Sequence, residues 1–288
     1  MKRLLRDRRG LFGAVVLAAA LVLAIAAPLV THGSPNAQRD IVATRFVAPL
    51  SADGTGVFHV LGTDRFGRDV WTRLVYGARV SLGVGLLAVL ISIALGVTVG
   101  ALAGYGRGPV PLVLLGFTDF ALAVPRVVLL LLLAALWQPS TALVIVVLGL
   151  TGWMSVARLV HGEVRALAAR PFVEGAVALG ARRLRVLVRH ILPNAVTPVI
   201  VAAALGIGNA ITLEASLSFL GLGVQPPTPS WGNMISSGRD VLVNAPWVAT
   251  APGAALVIVV VACTLLGDAV RDALEPSAVS HQLSAPPA

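Results

Sequence analysis

The chain has 288 residues, of which 57% are hydrophobic and only 12% are charged, and its formal net charge is +9. Soluble proteins carry about 25% charged residues, so this composition excludes an ordinary soluble protein and predicts an integral membrane protein with one main helical domain. The positive charge does not indicate nucleic-acid binding, because no soluble basic face remains once the apolar segments lie in lipid. The single cysteine, Cys263, lies in an apolar run and excludes an intrachain disulfide.

Six apolar runs predict six transmembrane helices, because a helix needs about 20 residues to cross a hydrocarbon core ~30 Å thick. The first run could also be a signal peptide, but the apolar core of a signal peptide has only about 7–15 residues, so we expect a retained helix. An even number of spans places both termini on the same side of the membrane. The runs are Leu11–Val30, Val80–Tyr105, Pro111–Trp137, Ala142–Leu159, Val196–Ala215 and Trp247–Gly267.

The segment between the first two runs is polar and rich in turn residues, and it predicts a long external loop. At its end Asp69 can cap a helix whose apolar face carries Val70, Leu74 and Val75, which predicts an interfacial helix leading into the second span. We therefore expect a first helix with its loop (1–79), a five-helix core with a charged loop at 160–195 (80–276), and a disordered tail (277–288).

The positions of the arginines predict how the chain crosses the membrane. If the N-terminus is cytoplasmic, most arginines fall in cytoplasmic segments and the short external loops carry only Arg239. Positive residues favour the cytoplasmic side, and a long loop such as the first external one has less weight. The pattern predicts a multi-pass protein of the cytoplasmic membrane with both termini inside.

Two ionisable residues, Asp119 and Arg126, lie in the third predicted span. They are seven residues apart, hence on nearly the same helix face but about 10 Å apart along the axis. A direct ion pair requires the arginine to stretch, and separate partners on neighbouring helices are the alternative. Pro125 between them removes a backbone hydrogen bond and predicts a kink. Either a transport pathway or structural pairing would account for such residues, because charges at this depth normally face protein or water.

A charged segment between the fourth and fifth spans predicts a helical hairpin. Pro171 suits the first turn of a short helix, Glu174 lies near its positive end, and Gly180 suits the residue just past its end. A second helix is expected from Ala181 to Leu192, with an apolar face opposite the arginines Arg182, Arg185 and Arg189. That face would consist of Leu184, Leu187, Val188 and Ile191. Such a hairpin either lies on anionic lipid headgroups or docks on a partner protein.

After the fifth span, Glu214 marks the start of an external stretch that contains Pro226, Pro227 and Pro229. The stretch is too short and too broken to span, so we expect a short hairpin that dips towards the outer mouth of a pathway. Glu214 is a candidate for a gate there, with structural pairing as the alternative.

The chain cannot hydrolyse ATP with a phosphate-binding loop of its own. Such a loop ends in Gly-Lys-Ser/Thr, and the only lysine here is Lys2. Any ATP-driven work therefore requires a partner protein.

The hairpin resembles the docking loop of permease subunits of ABC importers. Further stretches match in order and spacing: TDRFGRDVWTRLVYGARVSL before the second span, TDFALAVP in the third, and EASLSFLGLGVQPPTPSWG after the fifth. Together they resemble the second permease type of the dipeptide, oligopeptide and nickel branch, although Gly175 stands where alanine is common. The docking-loop residues that carry the resemblance are Glu174, Gly175, Ala176, Gly180, Leu192 and Pro193.

The resemblance implies an all-α permease of the type I fold and transport of peptides or a related small solute such as nickel. It implies a second homologous permease subunit, two ATPase subunits that hold ATP and Mg²⁺, an extracytoplasmic substrate-binding protein and a lipid environment as partners. No cofactor, metal or catalytic residue is expected in this chain. An ion-coupled secondary transporter and a membrane scaffold without transport are the alternatives; the former would be expected to show an internal repeat.

Overall fold

The computed structural model describes residues 7–31, 33–38 and 40–274. The expected disordered tail, 277–288, lies outside the described residues. In chain order the elements are α1 (Arg8–Ile25), α2 (Ala27–Val30), α3 (Ile41–Thr44), β1 (Ser51–Ala52), β2 (Phe58–His59), α4 (Val70–Tyr105), α5 (Pro109–Ala123), α6 (Arg126–Leu136), α7 (Thr141–Ala168), α8 (Pro171–Ala178), α9 (Arg183–Val186), a π-helical turn (Leu187–Ile191), α10 (Val196–Phe219), α11 (Trp231–Arg239) and α12 (Trp247–Leu274).

Within these described residues, five helices are long and apolar enough to cross a membrane, and the pair α5 and α6 makes a sixth span if it counts as one. These are the six runs expected from the sequence, with α1 first. The second span begins at Val70 instead of Val80, because the expected interfacial helix and the span form one continuous α4. Asp69 caps it by accepting a hydrogen bond from the backbone N–H of Thr72 at 2.7 Å. The domain boundary expected between 79 and 80 therefore falls inside a helix.

The third span is interrupted where Pro125 was expected to kink it. The axes of α5 and α6 meet at 85°, so the two halves are separate helices. Proline disfavours helical geometry in the residue before it, and Val124 is extended with ψ 125°. The carbonyl of Pro125 then accepts from Leu129 and starts α6, with Arg126 as its first residue.

The helices α4 and α7 pack closely along a stripe of small residues. A Cβ added at any of three glycines spaced four residues apart on α4 would come within 2.5 to 2.8 Å of an atom of α7. Small residues at this spacing let two backbones approach in a membrane, where packing and not the hydrophobic effect holds helices together. The glycines are Gly96, Gly100 and Gly104.

Residues 40–69, which we call the cap, form a small polar unit before α4. Within it β1 and β2 pair antiparallel, with Ser51 opposite His59. The indole N–H of Trp247, the first residue of α12, donates to the Thr63 carbonyl at 3.1 Å and ties the cap to the helices.

The stretch after α10, where a short non-spanning hairpin was expected, contains one short helix. Helix α11 has nine residues and begins with a capping box between Ser230 and Asn233. It packs against α12 and α10, and the side chain of Trp231 is buried against α4.

Candidate functional site

The hairpin, residues 169–195, turns at Gly180. Helix α8 ends in a Schellman motif, in which the N–H of Ala181 donates to the Ala176 carbonyl at 3.1 Å and that of Gly180 to Val177 at 3.0 Å. This motif needs a left-handed residue, and Gly180 has φ +80°. The turn expected from the sequence is confirmed, and it fixes the angle between α8 and the chain that returns to α10.

The hairpin rests on α7 through a small apolar core. Val173 of α8 and Val186, Leu187 and Ile191 of the returning chain are buried together with Val160 and Val164 of α7 and Ala101 of α4. Ala176 and Leu192 are partly buried against this cluster. Two of the six docking-loop residues thus face inwards and support the fold of the loop.

Two of the four residues expected on the apolar face of the second helix are exposed and not buried. The helix begins at Arg183 instead of Ala181, and its last part is a π-helical turn, in which the N–H of Leu192 donates to the Leu187 carbonyl at 2.8 Å. Val186 joins the buried set that packs on α7, while Leu184 and Val188 are 70% and 54% exposed. Arg182, Arg185 and Arg189 are exposed as expected.

The outer surface of the hairpin carries large apolar side chains. Leu179, beside the turn, is 91% exposed. Glu174, Gly175, Gly180 and Pro193, the other four docking-loop residues, are exposed among them. An exposed apolar cluster rimmed by charged residues is typical of a protein-binding surface. We call this cluster the hairpin face: Phe172, Val177, Leu179, Leu184 and Val188.

Asp119 and Arg126 do not pair with each other. The carboxylate of Asp119 lies 3.1 Å from Nε of Arg158 on α7, and both side chains are more than half exposed. Arg158 was not singled out from the sequence, because partners on different helices leave no spacing signal. The expectation of separate partners on neighbouring helices is thus confirmed for Asp119.

Arg126 has no such partner. Within the described part of the chain, its buried Nε has no hydrogen-bond partner and no carboxylate forms a salt bridge with it. A charged side chain at membrane depth costs roughly 2.5–3.5 kcal/mol on insertion scales and normally faces protein or water. Arg126 lines a cavity of ≈ 360 Å³ between α4, α6, α7 and α10.

Glu214 is fully buried between α4, α10 and α11. Its two carboxylate oxygens accept hydrogen bonds from Ser81 at 2.9 Å and from Ser218 at 2.7 Å. The Ser81 hydroxyl in turn accepts from the backbone N–H of Trp231 at 3.2 Å. This network joins three helices, so the geometry supports a structural role for Glu214 and not a freely moving gate.

The cap contains ionic groups that the sequence reading did not single out. Asp64 contacts Arg68 at 2.7 Å and Arg73 at 3.8 Å, and all three side chains are less than 9% exposed. The spacing of Asp64 and Arg68, four residues apart, was the only signal for this cluster in the sequence. His59 lies between Asp53 and Asp69, at 3.2 and 2.7 Å.

Asp53 is an acidic side chain with a shifted pKa in this cluster. Burial by itself raises the pKa, but hydrogen bonds from the Thr55 hydroxyl, the Val57 N–H, His59 and the Thr55 N–H outweigh burial and hold the pKa of Asp53 far below its ordinary value of 3.8. No group of three His, Cys, Asp or Glu side chains among residues 7–31, 33–38 and 40–274 could hold a metal ion.

Comparison with known proteins identifies a family. Residues 96–280 match the family described as "Binding-protein-dependent transport system inner membrane component". A putative peptide transport system permease protein of Brucella abortus is 38% identical over 275 residues, covering 96% of this chain and 90% of that protein. A dipeptide transport system permease protein of Alkalihalophilus pseudofirmus is 37% identical and covers 96% and 88%.

One further relative is named for the transport of a particular peptide, and one solved structure shares the fold. A glutathione transport system permease protein of Pectobacterium atrosepticum is 39% identical over 224 residues, covering 78% of this chain and 74% of that protein. Among solved structures, the inward-facing MetNI methionine ABC transporter matches with a TM-score of 0.58 and 20% identity, covering 71% of this chain and 97% of that one. At this identity the structural match shows the fold, which is that of an ABC importer permease.

Proposed function

This chain belongs to the family of binding-protein-dependent transport system inner membrane components, and from that premise we propose that it is one permease subunit of an ATP-driven importer of short peptides. The observation that carries the proposal is the 38% identity to a peptide permease over 96% of the chain. The chain is a multi-pass inner-membrane protein, and the ion-coupled transporter and the scaffold are not favoured by any of the relatives described above.

The proposed assembly contains a second homologous permease, two ATPase subunits and an extracytoplasmic substrate-binding protein. The ATPases hold ATP and Mg²⁺, and this chain performs no covalent chemistry. Lys2 is its only lysine, which leaves it without a phosphate-binding loop of its own. When the ATPases close on ATP, they draw the hairpins of the two permeases together and open the pathway to the outside.

We further propose that the hairpin face, with Glu174 beside it, docks on an ATPase subunit. The rival interpretation, a basic helix on anionic headgroups, requires apolar residues that point into lipid and arginines that surround them. Within the hairpin face the most exposed residue is Leu179, which belongs to the turn, although Leu184 and Val188 lie on the arginine-bearing segment. The Schellman turn fixes the position of Leu179, which favours binding to a protein over contact with lipid headgroups.

The proposal includes the orientation with both termini inside. Cysteines placed at Ser51 in the cap and at Ser237 in α11 should react with an impermeant thiol reagent in intact cells. A cysteine at Ala178, at the end of α8, should not. Labelling of Ala178→Cys from outside would place the hairpin on the wrong side for an ATPase.

The function is tested by uptake of radiolabelled trialanine into proteoliposomes that contain both permeases and both ATPases, with the binding protein outside. We expect uptake that requires ATP and stops when the phosphate-loop lysine of the ATPases is replaced by alanine. Uptake that continues without the ATPases and follows an ion gradient would instead show a secondary transporter. ATP hydrolysis without uptake of any peptide would show a scaffold.

A further inference from the structure

The cavity beside Arg126 has the dimensions of a small-ligand site. Its volume of ≈ 360 Å³ falls in the range of about 300–1,000 Å³ that is common for such sites. Four helices line it, and α6 supplies Arg126 from its first residue, where the helix dipole is positive. The 85° bend at Pro125 separates α6 from α5 and makes Arg126 the first residue of α6.

The charge of Arg126 is not neutralised within the described residues. The guanidinium remains protonated in proteins, and its Nε is buried without a hydrogen-bond partner. None of the residues that line the cavity is an aspartate or glutamate. An anion that enters therefore meets an unopposed cation in a medium of low dielectric constant, where attraction is stronger than in water.

A glycine keeps the wall of the cavity open beside the guanidinium. Gly152 of α7 lies against the guanidinium, and a Cβ there would stand 3.4 Å from Nη2 and would collide with the Ser92 hydroxyl. Ser155 and Asn209 also line the cavity, and neither side chain is bonded to another described residue. A guanidinium binds a carboxylate through two parallel N–H donors, and hydroxyl and amide groups nearby can complete the shell.

The cavity has a neighbour on the side of the hairpin. A second cavity of ≈ 680 Å³ shares Leu159 and Ala202 with it and reaches Glu163, Asn194 and Arg271, near the hairpin ends of α7 and α10 and the last turn of α12. We propose that Arg126 forms a carboxylate-binding station on the transport route and receives the C-terminal carboxylate of a peptide in transit. This inference rests on the proposed function, and it accounts for a ligand group that all unmodified peptides share.

The first test reads the charge in the cavity directly, in the purified complex of both permeases and the ATPases. Ser155→Cys is introduced in a Cys263→Ala background and treated with anionic sulfonatoethyl or cationic trimethylammonioethyl methanethiosulfonate. We expect the ratio of anionic to cationic reaction rates to fall about tenfold in Arg126→Gln, because one nearby unit charge acts in opposite directions on the two reagents. Arg126→Lys should keep the ratio, as should the exposed matched control Arg107→Gln.

The second test identifies the source of the carboxylate. Trialanine should slow modification of Ser155→Cys, whereas trialanine amide should not, and Arg126→Gln should abolish the difference. Equal protection by acid and amide would overturn the inference. A second result would also overturn it: trialanine gives no protection, and the purified Arg126→Gln complex has lost the second permease. The arginine would then pair with a carboxylate of the partner subunit and not with a peptide.

Uptake separates this inference from the proposed function. If the unmodified complex imports trialanine with ATP and Arg126→Gln does so at the same rate and with the same protection, the inference fails and the function stands. If the unmodified complex imports no peptide, the function fails, and the protection measurement still decides what the cavity binds.

Discussion

The cap and the hairpin lie at different ends of the molecule and differ in the burial of their charged residues. In the cap, Asp64 and Arg68 are buried and pair with each other, and Asp64 also contacts the buried Arg73 in the first turn of α4. In the hairpin, the charged residues are exposed and the large apolar residue Leu179 is exposed with them. Buried charges that are paired within the protein need no further partner. Large apolar side chains that are exposed to water indicate a surface that another molecule covers. The hairpin is therefore the end of the subunit where a binding surface is expected.

The largest effect is expected when the hairpin turn is broken. Gly180→Val forces a β-branched residue to φ +80°, at a cost of roughly 1–2 kcal/mol or a distorted turn. The hairpin face would then meet the ATPase at the wrong angle, so we expect normal membrane abundance, weak ATPase capture and almost no uptake. Glu174→Lys should act in the same direction by reversing a charge on that surface, as measured by ATPase pull-down and trialanine uptake.

Arg185→Gln is the control for these variants, because it changes a charge on the returning helix, away from α8, and should have a mild effect. Normal ATPase binding and uptake in both Gly180→Val and Glu174→Lys would show that the hairpin is not the docking element. The contrast between the two ends would then lose its functional meaning.

In the cap, removal of one buried partner should destabilise the protein without touching the docking surface. Asp64→Ala leaves Arg68 and Arg73 buried with their carboxylate gone, which costs roughly 3–5 kcal/mol in such sites. Asp240→Ala removes a carboxylate that pairs with Arg239 at 3.2 Å in an exposed position, and should change stability by no more than about 1 kcal/mol. Thermal unfolding in detergent measures both effects. Equal unfolding midpoints for the two variants would contradict the stabilising role of the buried Asp64.

The cap should also lose stability in acid through Asp53. Because its folded pKa lies below the ordinary 3.8, its ionised form stabilises the folded state at any pH above that value. This contribution declines as the pH falls below 3.8 and is gone only below the folded pKa. Asp53→Asn should therefore unfold at lower temperature than the unmodified protein at neutral pH, and the gap should narrow in acid. A gap independent of pH between neutrality and pH ~3 would contradict this ionic role.

The smallest expected effect is a gain in stability in the hairpin. A Cβ added at Gly175 would meet nothing within 4 Å, and alanine in a helix interior is favoured over glycine by about 0.5–1 kcal/mol. Gly175→Ala should slow hydrogen exchange of the α8 amides and leave uptake unchanged. Faster exchange would mean that α8 is strained, and reduced uptake would place Gly175 in direct contact with the ATPase.

Local signals in the sequence determined much of this protein. Apolar runs gave the spans, since burial in lipid demands about 20 apolar residues wherever a helix crosses. Asp69 and Gly180 were read correctly as helix boundaries, because capping and a left-handed turn depend on neighbours in the chain. The docking-loop motif was likewise visible, although its role in binding an ATPase stays a prediction.

Contacts between helices far apart in the chain were decided only by the tertiary structure. The packing of helices decides that Arg158 is the partner of Asp119 and that serines bond Glu214. It also decides that Arg126 has no salt-bridge partner among the described residues. Periodicity also misplaced Leu184 and Val188, because the residues of this segment that pack on α7 are Val186, Leu187 and Ile191. Sequence patterns specify which side chains share a face, but only packing specifies what that face meets, and a buried charge derives its role from what it meets.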